Sequence, residues 1–177
     1  MVLLRPLFVF TGIRGARIIL GVVLLLLTLT VIALMWKQKV KTLAVCYFLG
    51  NVIIQTWMCA FSIEYITTFL LMNIFLILLL LWFPHRTDTG SFYRRVYAIL
   101  CASGVWTCFF DFLTTETLTV TMPILLLLVL RYQAGELESI RQESRRLLCG
   151  LLCWGSSYAI MFITKWLLAV VVLGRQA

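Results

Sequence analysis

Acidic residues are scarce in this chain. Asp and Glu number seven among 177 residues, and charges of both signs make up only 12%. A soluble domain averages about a quarter charged, so a water-facing surface of ordinary composition is excluded. There is one histidine, His85, and the six cysteines (Cys46, Cys59, Cys101, Cys108, Cys149 and Cys153) include no Cys-x-x-Cys pair. All six lie in apolar runs, where cysteine is usually a small packing residue. Neither a zinc site nor a disulfide framework is expected, and no metal or cofactor is implied. No GxxxxGK[ST], GxGxxG, HExxH or GxSxG pattern occurs, so the phosphate-binding loops, the zincin helix and the hydrolase elbow are missing. There is no internal repeat and no low-complexity linker.

What the chain has in abundance is hydrophobicity: 63% of its residues are apolar and its mean hydropathy is +1.05. A membrane-spanning helix needs about 20 mostly apolar residues to cross a core about 30 Å thick. Six runs meet or approach that length: 18–36, 43–61, 66–83, 96–113, 117–130 and 147–173. The second and third are expected to form a tight hairpin broken at 62–65, and the fourth and fifth a shorter one around Thr114, Thr115 and Glu116. The fold class is therefore all-α, a polytopic bundle of about six spans forming one integral membrane domain. Residues 131–146 read as a charged helix extension outside the membrane, with Glu138 and Arg141 spaced to pair on one face.

The bases orient the bundle. Lys37, Lys39 and Lys41 follow the first run, Arg86, Arg94 and Arg95 the third, and Arg131, Arg141, Arg145 and Arg146 the fifth, together ten of the 15 Lys and Arg. These segments alternate along the chain and so share one side, which the positive-inside rule makes cytoplasmic. Loops 37–42, 84–95 and 131–146 are then cytoplasmic, both termini lie outside, and the opposite loops carry Glu64, Asp111 and Glu116. Arg5, Arg14 and Arg17 run against the rule, and an odd number of spans follows if the apolar segment 2–10 is itself buried. Residues 1–17 lack the features of a signal peptide, so the first span would act as its own insertion signal. The net charge of +8 is explained by topology and by attraction to anionic lipid headgroups, with no role for nucleic acid.

A few polar groups stand inside or beside the runs. Lys165 is followed by Trp166 and further apolar residues. Counted from Leu148 it lies about 25 Å across the membrane at 1.5 Å per residue, where it can snorkel or form an ion pair beside a Trp anchor, or else contact a substrate. Asp111 is set among Phe109, Phe110 and Phe112 and precedes Thr114, Thr115, Thr117, Thr119 and Thr121. It reads either as part of a well-capped outer turn or as the carboxylate of an acidic cleft at the outer face. Thr119 is placed to take up the carbonyl that Pro123 frees. Asn51, Gln55 and Asn73 read as interhelical hydrogen-bonding groups, and Cys149, Cys153 and Ser157 as a small-residue stripe for close helix contact.

Three stretches taken together, Leu4-Arg5-Pro6-Leu7 with Ile13-Arg14 beyond it, residues 110–115 with Pro123 beyond it, and Lys165-Trp166, resemble a group of uncharacterised bacterial multi-pass membrane proteins. The resemblance implies a bacterial cytoplasmic membrane and a longer parent architecture, of which this chain would be a shortened relative or a part. It brings no activity. It does draw Arg5, Arg14, Asp111, Glu116 and Lys165 toward one outer face. There the bases would hold the phosphate of a lipid-linked substrate and Asp111 would act as general base, as in membrane glycosyltransferases that use polyprenyl-phosphate donors. The three function classes that remain are a structural or accessory membrane component, a membrane enzyme or lipid-handling protein with its site around Asp111, and a small transporter subunit. The bilayer is the expected partner in each, with an anionic lipid or lipid-linked substrate and a homo- or hetero-oligomer as further candidates.

Overall fold

The protein is described here by a computed structural model covering residues 5–56, 63–83, 89–110 and 117–174, without the side chains of 5–11, 63–65, 89 and 173. The described residues form six helices and no strand: α1 (Arg5–Lys37), α2 (Lys41–Ile53), α3 (Ile63–Trp82), α4 (Thr89–Phe110), α5 (Leu118–Gln133) and α6 (Ile140–Leu173). Two stretches, Gly12–Lys37 in α1 and Ile140–Val172 in α6, are long and apolar enough to cross a membrane. The apolar stretches in α2, α3 and α5 are shorter.

The helix boundaries differ from the apolar runs for local reasons. α1 begins well before residue 18, and its first turns are set at an angle because Gly12 adopts φ 66°, ψ 173°, a conformation that a residue with a Cβ rarely takes. α2 stops at Ile53 instead of continuing to residue 61, because Gln55 turns left-handed at φ 54°. Ile63, Glu64 and Tyr65, read from the sequence as part of a break, already belong to α3. The expected turn at Thr114–Glu116 lies outside the described residues.

Segment 131–146 is not one continuous helix. Residues 131–133 finish α5, 134–139 turn, and α6 opens at Ile140. Gly135 at φ 68° allows the Glu136 N–H to reach the Arg131 carbonyl at 3.0 Å, closing the helix end in a Schellman arrangement. Ser139 then starts α6, its hydroxyl donating to Gln142 Oε1 at 3.0 Å.

The helices pack in a chain of neighbours: α2 and α3 on α1, α4 and α5 on α3, and α6 on α4 and α5. The core runs through α3, whose Ile66, Met72, Leu76, Leu79 and Leu80 are almost fully buried. Threonine hydroxyls at 28, 30, 121 and 164 donate to the carbonyl four residues back, as with Thr28 to the Leu24 carbonyl at 2.9 Å, which removes the cost of an unpaired polar group in an apolar medium. The α4–α6 contact is made by small residues. A Cβ at Gly104 would lie 2.5 Å from the Trp154 carbonyl oxygen, and Cys101 Sγ lies 3.5 Å from the Cys153 carbonyl oxygen. The small-residue stripe at Cys153 and Ser157 does face a neighbouring helix.

The contacts sort the helix ends into two groups. At one end, Gln38 donates to the Leu80 carbonyl, Phe83 meets Phe92 edge to face at 5.7 Å, and Tyr93 lies under the guanidinium groups of Arg131 and Arg146. The described bases of 37–41, 94–95 and 131–146 therefore share that end. At the other end, Thr107 donates to Thr119 at 3.0 Å and α6 reaches the end of α4 through Lys165.

Candidate functional site

Lys165 is the one sequence-selected site residue with a resolved set of partners. It is half-buried on α6, and its Nζ donates to the Cys108 carbonyl at 2.7 Å and to the Phe109 carbonyl at 3.4 Å. These carbonyls belong to the last turn of α4, where intrahelical partners run out and the helix dipole is negative. A lysine from a neighbouring helix satisfies both demands. The bonds tie α6 to the end of α4, and Trp166 beside Lys165 remains 67% exposed. Trp106, Phe109 and Phe110 cluster at the same helix end, with Trp106 stacked on Phe110 at 5.5 Å.

Asp111 and Glu116 lie outside the described residues, as does the side chain of Arg5. Arg14 is exposed on α1. Since α1 packs on α2 and α3 while α6 packs on α4 and α5, Arg14 and Lys165 stand on different parts of the bundle. The described residues contain no group of three or more His, Cys, Asp or Glu arranged to hold a metal.

Of the three amides expected to join helices, Asn73 does so, Asn51 bonds within its own segment, and Gln55 is exposed past the end of α2. Asn73 is fully buried, accepts from the Tyr47 hydroxyl at 2.8 Å and donates to the Phe69 carbonyl at 2.8 Å, tying α2 to α3. Asn51 donates to the Tyr47 carbonyl at 2.8 Å and accepts from the Thr56 hydroxyl at 2.8 Å. Thr119 meets the Thr107 hydroxyl across the α4–α5 contact.

Sequence reasoning missed an ion network at the basic end. Arg131 follows an apolar run with no visible partner in the sequence, yet it is only 4% exposed. It pairs with Glu143, donates to the Glu136 carbonyl at 2.6 Å, and lies 5.4 Å from the Tyr93 ring centre. Arg146 joins Glu143 at 3.2 Å and Glu138 at 2.7 Å. Glu138 thus pairs with Arg146 across the turn and not with Arg141 one helical turn away, because it precedes α6. Burial pushes the Glu143 carboxyl up, but the Arg131 hydrogen bond, the Glu138 N–H and the two guanidinium charges outweigh it, and its pKa falls below the ordinary 4.5. The arrangement fastens α5 to α6 and offers no open cleft for chemistry.

Lys165→Met should loosen the end of α4 by removing two charge-assisted hydrogen bonds. The expected loss is about 1.5–3 kcal/mol, read as a lower melting temperature in detergent. Lys165→Arg should recover part of it, and an unchanged melt for the Met variant would rule out the capping role.

No protein-family model, curated protein or solved structure matches the chain.

Proposed function

We propose that this chain is a multi-pass integral membrane protein of about six spans whose intramembrane polar groups serve helix packing, a structural or accessory component of the membrane. The observation that carries the reading is the outward surface of α1 and α6. Leu25, Leu26 and Leu29 on α1, and Ile163, Leu167 and Val171 on α6, are all more than half exposed. Soluble monomers rarely expose apolar patches beyond a few hundred Å², whereas lipid tails cover such faces at no cost. Trp36 and Trp82 near the basic end, and Trp106 and Trp166 near the other, are all exposed, as interfacial belts require. With the basic end toward the cytoplasm, the positive-inside rule is met by three loops at once.

A second reading, an enzyme or lipid-handling site around Asp111, is favoured by one feature. Lys165 holds the carbonyls of Cys108 and Phe109, which brings a cation to the backbone leading into Asp111. A polyprenyl-phosphate-linked donor is the substrate class that such a pair would suit.

Two experiments test the readings. The protein should remain in the membrane pellet through alkaline carbonate. In a background without the native cysteines, a cysteine at Lys39 should react with a maleimide only from the cytoplasmic side, and one at Thr115 only from outside. Release by carbonate would end the membrane reading. For the role, Asp111→Asn should change stability alone. If the purified protein turns over a polyprenyl-phosphate-linked sugar and Asp111→Asn abolishes that turnover without altering the melt, the packing reading gives way to the enzyme.

A further inference from the structure

Beside α1 and α2 lies a cavity of about 460 Å³, within the range of about 300–1,000 Å³ typical of small-molecule sites. Its walls are almost wholly apolar and include Leu25, Leu29 and Phe48, which are half exposed toward the surroundings. It follows α1 from Arg17 to Ile32, about 22 Å at 1.5 Å per residue, against about 15 Å for one leaflet of the hydrocarbon core. The polar wall groups are four: Arg17, Thr28, Asn51 and Thr56, and the Thr28 hydroxyl is taken up by the Leu24 carbonyl of its own helix at 2.9 Å. Asn51 and Thr56, bonded to each other at 2.8 Å, line the groove where α2 ends, and Arg17 lines it from α1.

Arg17 is unlike the other partly buried arginines. Arg131 and Arg146 have carboxylates, but the Arg17 Nε is buried and has no hydrogen-bond partner among the described residues. A guanidinium that lines an apolar groove with no ion-pair partner among the described residues is complemented by an anionic group in that groove. The groove behind it calls for a hydrocarbon chain. One molecule of the bilayer meets both needs.

We propose that the α1–α2 groove binds an anionic phospholipid, with one acyl chain along Leu25, Leu29 and Phe48 and the headgroup phosphate on Arg17. This rests on the membrane reading above, and on the topology argued there the lipid belongs to the outer leaflet. Arg14, exposed three residues earlier on α1, adds positive potential beyond the groove mouth. The bound lipid explains why bases that run against the positive-inside rule stand at this end: they are neutralised by a headgroup.

The test uses the full chain purified in mild detergent, incubated in turn with phosphatidylglycerol, phosphatidylcholine of the same acyl chains, and glycerol phosphate, with adducts counted by native mass spectrometry. Phosphatidylglycerol should be retained several-fold over phosphatidylcholine, and glycerol phosphate should not be retained. Arg17→Gln should cut the phosphatidylglycerol adduct about tenfold, as expected for one lost charge-assisted contact, and Arg17→Lys should keep most of it. Leu25→Trp, which fills the groove, should remove it with Arg17 intact. Arg94→Gln, a surface base at the opposite end, should leave it unchanged. Melting temperatures of the variants separate lost binding from lost fold. Equal losses for Arg17→Gln and Arg94→Gln, or retention of glycerol phosphate equal to that of the lipid, would overturn the assignment. A chain that needs no detergent defeats the membrane reading itself, whereas a detergent-dependent chain indifferent to Arg17→Gln defeats only the groove.

Discussion

Glu143→Leu is expected to destabilise the protein by about 3–5 kcal/mol, the range for breaking a buried ion pair by removing one partner. The loss comes less from the bond than from what is left behind. Arg131, 4% exposed, would keep the Glu136 carbonyl and a Glu138 carboxylate 4.0 Å away, too little to offset its desolvation. Arg131→Met should cost less, because Glu143 would still be held by Arg146 at 3.2 Å. The double replacement Arg131→Met with Glu143→Leu should recover a large part of the single Glu143→Leu loss, since two apolar groups can replace a buried pair nearly neutrally. A double-mutant cycle by denaturant or thermal melts in detergent measures this. A double variant no more stable than Glu143→Leu alone would show that the energy lies elsewhere in the turn.

The same pair sets a pH dependence. The folded-state pKa of Glu143 is held below the ordinary 4.5. Its stabilisation is therefore complete above that ordinary value and fades as pH falls through the depressed one. Wild type should lose stability on acidification in that range, and Glu143→Gln should flatten that part of the profile.

The six helices were legible because each apolar run is long and the bases recur at every second turn. What the sequence could not display was pairing across space. Arg131 and Glu143 are twelve residues apart, separated by a turn that no periodicity announces, and the Glu138–Arg141 spacing suggested a helix face where the chain is still turning. Lys165 shows the limit most clearly. Its depth could be counted along α6, but not that the end of α4 lies within hydrogen-bonding distance. Arg17 reads in the sequence as an exception to the positive-inside rule, although a base at the end of an apolar helix away from the other basic segments is what a headgroup site would look like in sequence. α2 was read too long because nothing in a run of apolar residues marks Gln55 as a left-handed stop. Asp111 and Glu116 remain expectations from the sequence.

Gly104→Leu should prevent the bundle from assembling, and Gly104→Ala should destabilise it by about 1–3 kcal/mol, the usual cost of overpacking. In an ordinary helix the Ala change is favourable by up to about 1 kcal/mol, so the sign itself is diagnostic. A Cβ at Gly104 would lie 2.3 Å from Ser157 Oγ, 2.5 Å from the Trp154 carbonyl oxygen and 3.2 Å from the Tyr158 nitrogen. The serine hydroxyl can rotate away, but the backbone of α6 cannot, so the two helices must part by about 1 Å. A gap of that size forfeits a quarter to a half of each dispersion contact along the seam. Within a membrane no hydrophobic force draws the helices back together, because lipid tails are as apolar as the side chains they replace. The parting would also strain Lys165, whose 2.7 Å bond to the Cys108 carbonyl lies farther along the same seam. Gly155→Ala on α6 supplies the control: a Cβ there meets nothing within 4 Å, so the substitution should be neutral or slightly stabilising. Melting curves of the two Ala variants should therefore move in opposite directions. If they move together, close contact at Gly104 is not what joins α4 to α6.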